Sequence, residues 1–196
     1  MSYYSQAGQD KWVHDIVGNK GFFVDIGAYD GVQTSNTYAL ELAGWDGICV
    51  EAHPDYFKLC KAARKCVCVN EAVTDHAGVC TFGVDRIGGN TVVNCNTLQG
   101  IIGNNKNIDY LSMDIEGHEL TTLLSFPFKD YNIRLITIEH NLYCDGPANK
   151  NALFELLTAN GFTRVKEDVR CLDTNPAYYL QPYEDWYENP FYNKTV

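Results

Sequence analysis

Four stretches of this chain deliver polar side chains directly after an apolar run, and together they hold most of the residues that could do chemistry. They are Asp25 to Asp30, Glu51, Asp114 to Glu119, and Glu139-His140-Asn141. An apolar run of this length suits a parallel strand covered on both faces, so each polar group falls at a strand's carboxyl tip. In the first stretch, Phe22-Phe23-Val24-Asp25-Ile26-Gly27-Ala28-Tyr29-Asp30-Gly31, the glycines let backbone approach a ligand closely. Glu51, at the tip of the following strand, is placed to hydrogen-bond ribose hydroxyls. A nucleoside cofactor is the expectation.

Which nucleoside follows from what the turn lacks. It has neither the Gly-x-Gly-x-x-Gly that seats a pyrophosphate on a helix N-terminus nor the Gly-x-x-x-x-Gly-Lys-Ser/Thr of a phosphate loop. Carboxylates at Asp25 and Asp30 would repel a phosphate and suit a cationic ligand. S-adenosylmethionine carries both an ammonium and a sulfonium. The bland alternative is an ordinary strand and turn with solvated acids.

Several motifs taken jointly are more specific. Ser5-Gln6-Ala7-Gly8-Gln9-Asp10, Phe23 to Gly31, Ser35-Asn36-Thr37, Gly44-Trp45-Asp46-Gly47-Ile48-Cys49-Val50-Glu51 and Met113-Asp114-Ile115-Glu116-Gly117-His118-Glu119 together resemble the FkbM family of S-adenosylmethionine-dependent methyltransferases. The similarity runs from about Ser5 to Asn141, with a looser C-terminal part. It implies a class I methyltransferase fold and O-methylation, often of sugar or glycoside hydroxyls. Ala52-His53-Pro54 departs from the pattern, since many relatives have proline directly after the strand-two acid. The expected cofactor residues are Gln9, Asp25, Gly27, Ala28, Tyr29, Asp30, Ser35, Asn36, Glu51, Ala52, Glu71 and Ala72. Asn36 would reach the methionine portion and the stretch after Asn70 resembles the family's adenine side, although Glu71 could equally be a surface carboxylate.

Methyl transfer from a sulfonium leaves the acceptor hydroxyl as the difficult partner, because its pKa lies far above neutrality. The protein must align oxygen, methyl carbon and sulfur and take or stabilise the hydroxyl proton. One design uses a His or carboxylate as general base, with His118 and His140 leading and Asp114 also a catalytic candidate. The other uses a divalent cation such as Mg or Mn on the acceptor oxygen. Asp114, Glu139 and Asn141 resemble the metal cage of catechol O-methyltransferase-like enzymes, and His140 could serve either scheme. His118 could as well be a structural histidine, and Glu119 reads as a helix-surface or N-terminal dipole residue.

The elements that must position these groups alternate. A first helix, capped by Ser5, spans residues 5–17. Strand one is Phe22 to Ile26, a helix follows from Val32 to Leu42, and strand two is Ile48 to Glu51. Pro54 opens a helix to Lys65, Cys66 to Asn70 is strand three, and Val79 to Val84 is an extra strand. Two glycines and several polar residues make Asp85 to Asn96 a loop with at most a short strand. Thr97 begins a short helix, and strand four is Tyr110 to Asp114. A helix runs from Glu116 to Leu124, strand five is Ile133 to Glu139, a helix covers Ala148 to Asn160, strand six is Phe162 to Lys166, and Tyr178 to Tyr183 pairs antiparallel as a last strand. The expected fold is α/β: a doubly wound, mostly parallel seven-stranded sheet with helices on both faces, a Rossmann-like class I methyltransferase arrangement in one domain over 1–196. Its crevice lies where strand order reverses between strands one and four.

Composition agrees. The chain has 196 residues, 45% hydrophobic and 20% charged, which is ordinary for a globular domain. A formal charge of −10 opposes nucleic-acid binding, which rests on Lys and Arg neutralising phosphates. Eight cysteines without a Cys-x-x-Cys pair, several within strand patterns, read as reduced thiols. With no hydrophobic leader and no membrane-length run, a cytoplasmic setting away from the membrane is expected, and a small-molecule or glycan acceptor is the expected partner. The aromatic-rich tail 178–196 could stack on a sugar; locking the tail onto the domain or burying a homodimer contact is the stronger reading. The rival functions are a cofactor-binding module without turnover, serving a glycan-assembly system, and a nicotinamide-dependent enzyme, which the glycine spacing disfavours.

Overall fold

The structure is a computed structural model and describes residues 1–83, 87–171 and 181–193. In chain order the elements are α1 (Gln9–Val17), β1 (Phe22–Ile26), α2 (Tyr38–Ala43), β2 (Asp46–Val50), α3 (Pro54–Ala63), β3 (Val67–Val69), β4 (Ala72–Thr74), β5 (Gly78–Phe82) and β6 (Thr91–Thr97). There follow α4 (Leu98–Ile102), β7 (Asn107–Met113), α5 (Glu119–Leu124), β8 (Asn132–Glu139), α6 (Leu142–Asp145), α7 (Pro147–Ala159), β9 (Thr163–Arg170) and β10 (Pro182–Glu188).

Seven strands form one sheet in the order β3-β2-β1-β7-β8-β10-β9, parallel from β3 to β8 and antiparallel on both sides of β10. This is the Rossmann-like class I methyltransferase architecture expected from the sequence. The order reverses between β1 and β7, which places the crevice over the ends of β1, β2, β7 and β8. Side chains alternate across the sheet. Phe23, Cys49, Tyr110 and Leu135 pack on one face with Val13, Leu40 and Trp45; Val24, Ile26, Val50, Leu111 and Ile136 pack on the other with Leu123 and Leu157. Among the described residues no helix is long and apolar enough to cross a membrane.

Several expectations need correction. Ser5 does not cap α1, which starts after Gly8; its hydroxyl instead donates to Asp10 Oδ1 at 2.5 Å. The helix expected from Val32 begins only at Tyr38. Asp30 Oδ1 accepts the N–H groups of Val32 and Gln33, and Thr34 is left-handed with φ 57°, so the polar and β-branched run 30–37 satisfies its backbone locally and stays irregular. The region read as a loop holds β6, the middle strand of a second sheet ordered β4-β6-β5. Its polar face is solvent-exposed and only Cys95 is fully buried, so apolar periodicity was too weak to signal it. The three-residue β4 went unseen.

The aromatic segment is not a tail. β10 lies between β8 and β9, with Trp186 and Tyr187 fully buried and Tyr183 nearly so. Tyr192 donates its hydroxyl to Asp109, and Phe191 is exposed. The sheet accounts for Tyr183, Trp186 and Tyr187. Tyr178 and Tyr179 lie outside the described residues.

Candidate functional site

The ends of β1, β2 and β7 are drawn together by backbone. The N–H groups of Gly27 and Ala28 both donate to Val50 O, and Asp114 N–H donates to Ile26 O, each at 3.0 Å. Gly27 has φ 88°, and a Cβ there would lie 1.8 Å from the Asp114 carbonyl oxygen. Only glycine lets the β1 turn cross the end of β7 this closely.

Three adjoining cavities open on this crossing. The first, about 300 Å³, is lined by Asp25, Gly27, Ala28, Tyr29, Ser35, Asn36, Glu51, Ser112, Asp114 and Glu116. The second is smaller and more apolar, with Ala52, Glu71, Ala72, Val73, Phe82 and His118 on its walls. Glu51, Gly27 and Asp114 belong to both. The third, about 400 Å³, is bounded by Glu139, Tyr143, Gln181 and Tyr183 and shares Asp114 and Glu116 with the first.

Glu51 stands at the joint of the first two. Its Oε2 accepts the Tyr29 N–H at 2.8 Å and its Oε1 the His53 N–H at 2.7 Å. Burial pushes its pKa up to about 7 against these two donors. Asp25 accepts the Thr37 hydroxyl at 2.5 Å; burial raises its pKa, and the Arg64 guanidinium opposes the rise. Arg64 is a buried organiser of the loop after β1. It donates to Gly31 O at 3.0 Å and to Thr37 Oγ1 at 3.0 Å, and pairs with Glu41.

Asp114 and Glu116, shared by the first and third cavities, and Glu139, which lines the third, have nearest carboxylate oxygens that all lie within 4.8 Å of one another. Burial raises the pKa of both Asp114 and Glu139. Glu139 rises well above the ordinary range, because the Asp114 charge adds to its burial. Glu119, expected at the helix surface or acting on the dipole, is fully buried; it takes the Ile115 and Gly117 N–H groups and so shapes the turn that aims Asp114 and Glu116.

Other expected residues fall elsewhere. Gln9 is buried and lines none of the three cavities; it donates to Glu184 and to Tyr183, which bounds the third. Asp30 is spent on the turn described above. Asn141 supports Glu139 by donating to its Oε2 at 2.8 Å, and Glu116 takes its place in the acid group. His140 lines none of the three cavities. It is 1% exposed, accepts the Leu142 N–H on Nδ1 and has Nε2 3.5 Å from Asp185. Asp168 and Asp185 beside it are already neutralised by Lys150 and Arg164, which leaves that group a structural network. His118 lines the second cavity, not the third, and burial lowers its pKa, which favours the neutral ring.

Sequence reasoning missed Ser112 and Glu116. Ser112 was within reach, since it precedes Asp114 by two in a strand and therefore shares its face.

Residues 70–164 match the methyltransferase FkbM domain, nearly half of the chain. Over that segment the chain is similar to the FkbM methyltransferase domain. Solved structures similar to it include a TehB-like SAM-dependent methyltransferase from Corynebacterium glutamicum, 10% identical, TM-score 0.52, covering 96% of this chain and 89% of that one. Precorrin-6y C5,15-methyltransferase from Geobacter metallireducens is 11% identical, TM-score 0.53, with 93% and 86% covered. A protein of the NADB-Rossmann superfamily from Streptococcus agalactiae is 13% identical, TM-score 0.55, with 92% and 67% covered. At these identities the likeness concerns the fold. No curated protein matches the chain. The matched segment includes Asp114, Glu116 and Glu139, and the match together with the fold supports an S-adenosylmethionine-dependent methyltransferase. The cavities fit that cofactor: an acid-lined chamber for a cation, an apolar one for a flat base, and a carboxyl group between them.

Proposed function

We propose that this FkbM domain methylates a hydroxyl of a small, sugar-like acceptor seated in the third cavity. The donor's adenine would occupy the second cavity near Ala72, its ribose would bind Glu51, and its methionine end would lie in the first cavity beside Asp25, Asn36 and Ser112. The observation that carries this reading is the carboxylate group Asp114, Glu116 and Glu139 where the first and third cavities meet. A polyanionic acceptor is disfavoured by these acids and by the net charge of −10.

The chemistry asked of the protein is alignment and proton removal. Asp114 and Glu139 are hydrogen-bonded, and burial raises the pKa of each, since two adjacent buried carboxyls resist ionising together. As the acceptor oxygen bonds to the methyl carbon and the carbon–sulfur bond breaks, the ionised member of the pair takes the hydroxyl proton. S-adenosylhomocysteine and the methyl ether leave. The same three carboxylates suit a divalent cation such as Mg or Mn, which when bound would lower the hydroxyl's pKa.

A thermal melt tests the donor assignment, since a ligand that binds only the native state raises its stability. S-adenosylmethionine and S-adenosylhomocysteine should raise Tm and NAD should not; no shift with either adenosyl compound would sink the reading. Turnover across a panel of sugars and glycosides, with the product's methyl located by NMR, tests the acceptor. A methyl found on nitrogen or carbon would refute O-transfer.

A further inference from the structure

Four of the cysteines crowd one place on the sheet: Cys49 in β2, Cys60 in α3, and Cys66 and Cys68 at β3. Cys49 is paired in register with Cys68, so their side chains share a face, and Cys66, two residues earlier, projects to that face as well. Cys60 covers them from α3. The Cys49 and Cys66 sulfurs are 3.5 Å apart, and Cys49 also hydrogen-bonds Cys60. Nothing in methyl transfer uses these groups, and an apolar core would be built more simply with Val or Leu.

Four thiols first suggest a metal. A tetrahedral zinc site at ordinary Zn–S bond lengths sets every pair of sulfurs about 3.8 Å apart. No three of these sulfurs gather within 4.8 Å of one another, so the arrangement is pairwise and favours thiol-to-thiol chemistry.

We propose that Cys66 is a hydroperoxide-reactive thiol whose oxidised form is captured by Cys49, giving a reversible Cys49–Cys66 disulfide. Access and charge assign the two roles. Cys66 is half-buried at the bend entering the edge strand β3, within reach of a small peroxide, whereas Cys49 is 1% exposed. Contact with Cys49, helped by the Arg64 guanidinium, lowers the pKa of the Cys66 thiol against its burial, while the hydrogen bonds of Cys49 push its own thiol well above the usual range. Cys66 is thus the more readily ionised of the two, and Cys49 the thiol that keeps its proton until needed.

The steps balance. The Cys66 thiolate attacks the peroxide oxygen, the O–O bond breaks, and a hydroxide or alkoxide leaves with a proton from water, leaving a sulfenic acid. Cys49 sulfur then attacks Cys66 sulfur and the S–O bond breaks; the departing hydroxide takes the Cys49 proton and leaves as water. Two thiols lose two electrons and the peroxide gains them. Arg64, which faces this pair, also holds Gly31 O and Thr37 Oγ1, so the pair is one side chain away from the loop lining the donor cavity.

The test uses the reduced whole protein exposed to a few equivalents of hydrogen peroxide, alkylated without reductant and digested. The expected result is a peptide linking Cys49 to Cys66 that dithiothreitol releases; in C49S a dimedone adduct on Cys66 should replace it. Free Cys49 and Cys66 after peroxide, or a link from either one to Cys60 or Cys68, overturns the proposal. In C66S both the link and the adduct should vanish, and a dimedone adduct on Cys49 in that variant would overturn Cys66 as the attacking sulfur.

Discussion

Glu51 Oε2 and the Tyr29 backbone N–H, 2.8 Å apart, tie the tip of β2 to the turn after β1, and they fix the carboxyl group at the joint of two cavities. If this group binds the cofactor's ribose, Glu51→Gln keeps an acceptor for Tyr29 but loses the charged bonds to the hydroxyls. A charged hydrogen bond contributes about 1.5–3 kcal/mol, so affinity for S-adenosylhomocysteine should fall roughly tenfold to a hundredfold. Calorimetry reads the change, and unaltered affinity would remove Glu51 from the cofactor site. Because its pKa is about 7, wild-type affinity should also rise between pH 6 and pH 8.

Replacing Asp114 by Asn or Glu139 by Gln should lower turnover on order of a hundredfold or more, the usual contribution of a positioned base, while donor affinity changes little. The same substitutions should abolish any extra rise in Tm that Mn adds to the donor-bound protein. A variant with wild-type turnover would take that carboxylate out of the mechanism.

Stability should fall as pH rises from about 5 to 8. Burial lifts the folded-state pKa values of Glu51 and Glu119 to about 7 and that of Glu184 to about 8, above the 4.5 of an unfolded glutamate. Between those values the native state holds more protons than the unfolded chain, so raising pH costs stability, and the loss is complete only above the folded pKa. Melting the ligand-free protein across this range should show Tm several degrees higher at pH 5 than at pH 8. The opposite slope would mean that these carboxyls are ionised in the native state.

Gly27→Ala puts a Cβ into the Asp114 carbonyl oxygen at a backbone angle that L residues avoid. A loss of roughly 3 kcal/mol or more is expected in urea unfolding. Gly103→Ala is a control with a positive φ and open space, and it should cost clearly less.

Trp186→Ala removes a fully buried indole that packs on Trp12 with centroids 4.7 Å apart and donates to Glu184. Such truncations cost about 3–5 kcal/mol. A fall of that size would match β10's place inside the sheet, and a change under about 1 kcal/mol would contradict it.

Much of this arrangement was legible because buried parallel strands announce themselves as unbroken apolar runs. Phe22 to Ile26 matched to the residue, and the order reversal at β1 followed from the alternation of strands and helices. Three things were harder to read, each for a physical reason. β6 exposes Thr91 and Val92 and buries little, so its strand character depends on partners that are distant in sequence. His140 carries an ionisable ring at a strand tip, the pattern of a catalyst, yet its burial beside Asp185 is a tertiary property that no local spacing encodes. Glu116 was hidden by reading it as the first helical residue; in the structure it adopts φ 57° before α5 begins, which turns it toward the acid group.

The strand order also constrains how the molecule can be made. β9 is translated before β10 but pairs with nothing among the described strands except β10, which inserts between it and β8. While the ribosome is still threading out residues 182–188, β9 has no neighbour and the outer hydrogen-bonding edge of β8 stands open. A stalled or nicked nascent chain would therefore present a raw strand edge beside the acid group, a natural foothold for chaperones or proteases, and the site becomes rigid only once β10 has been made.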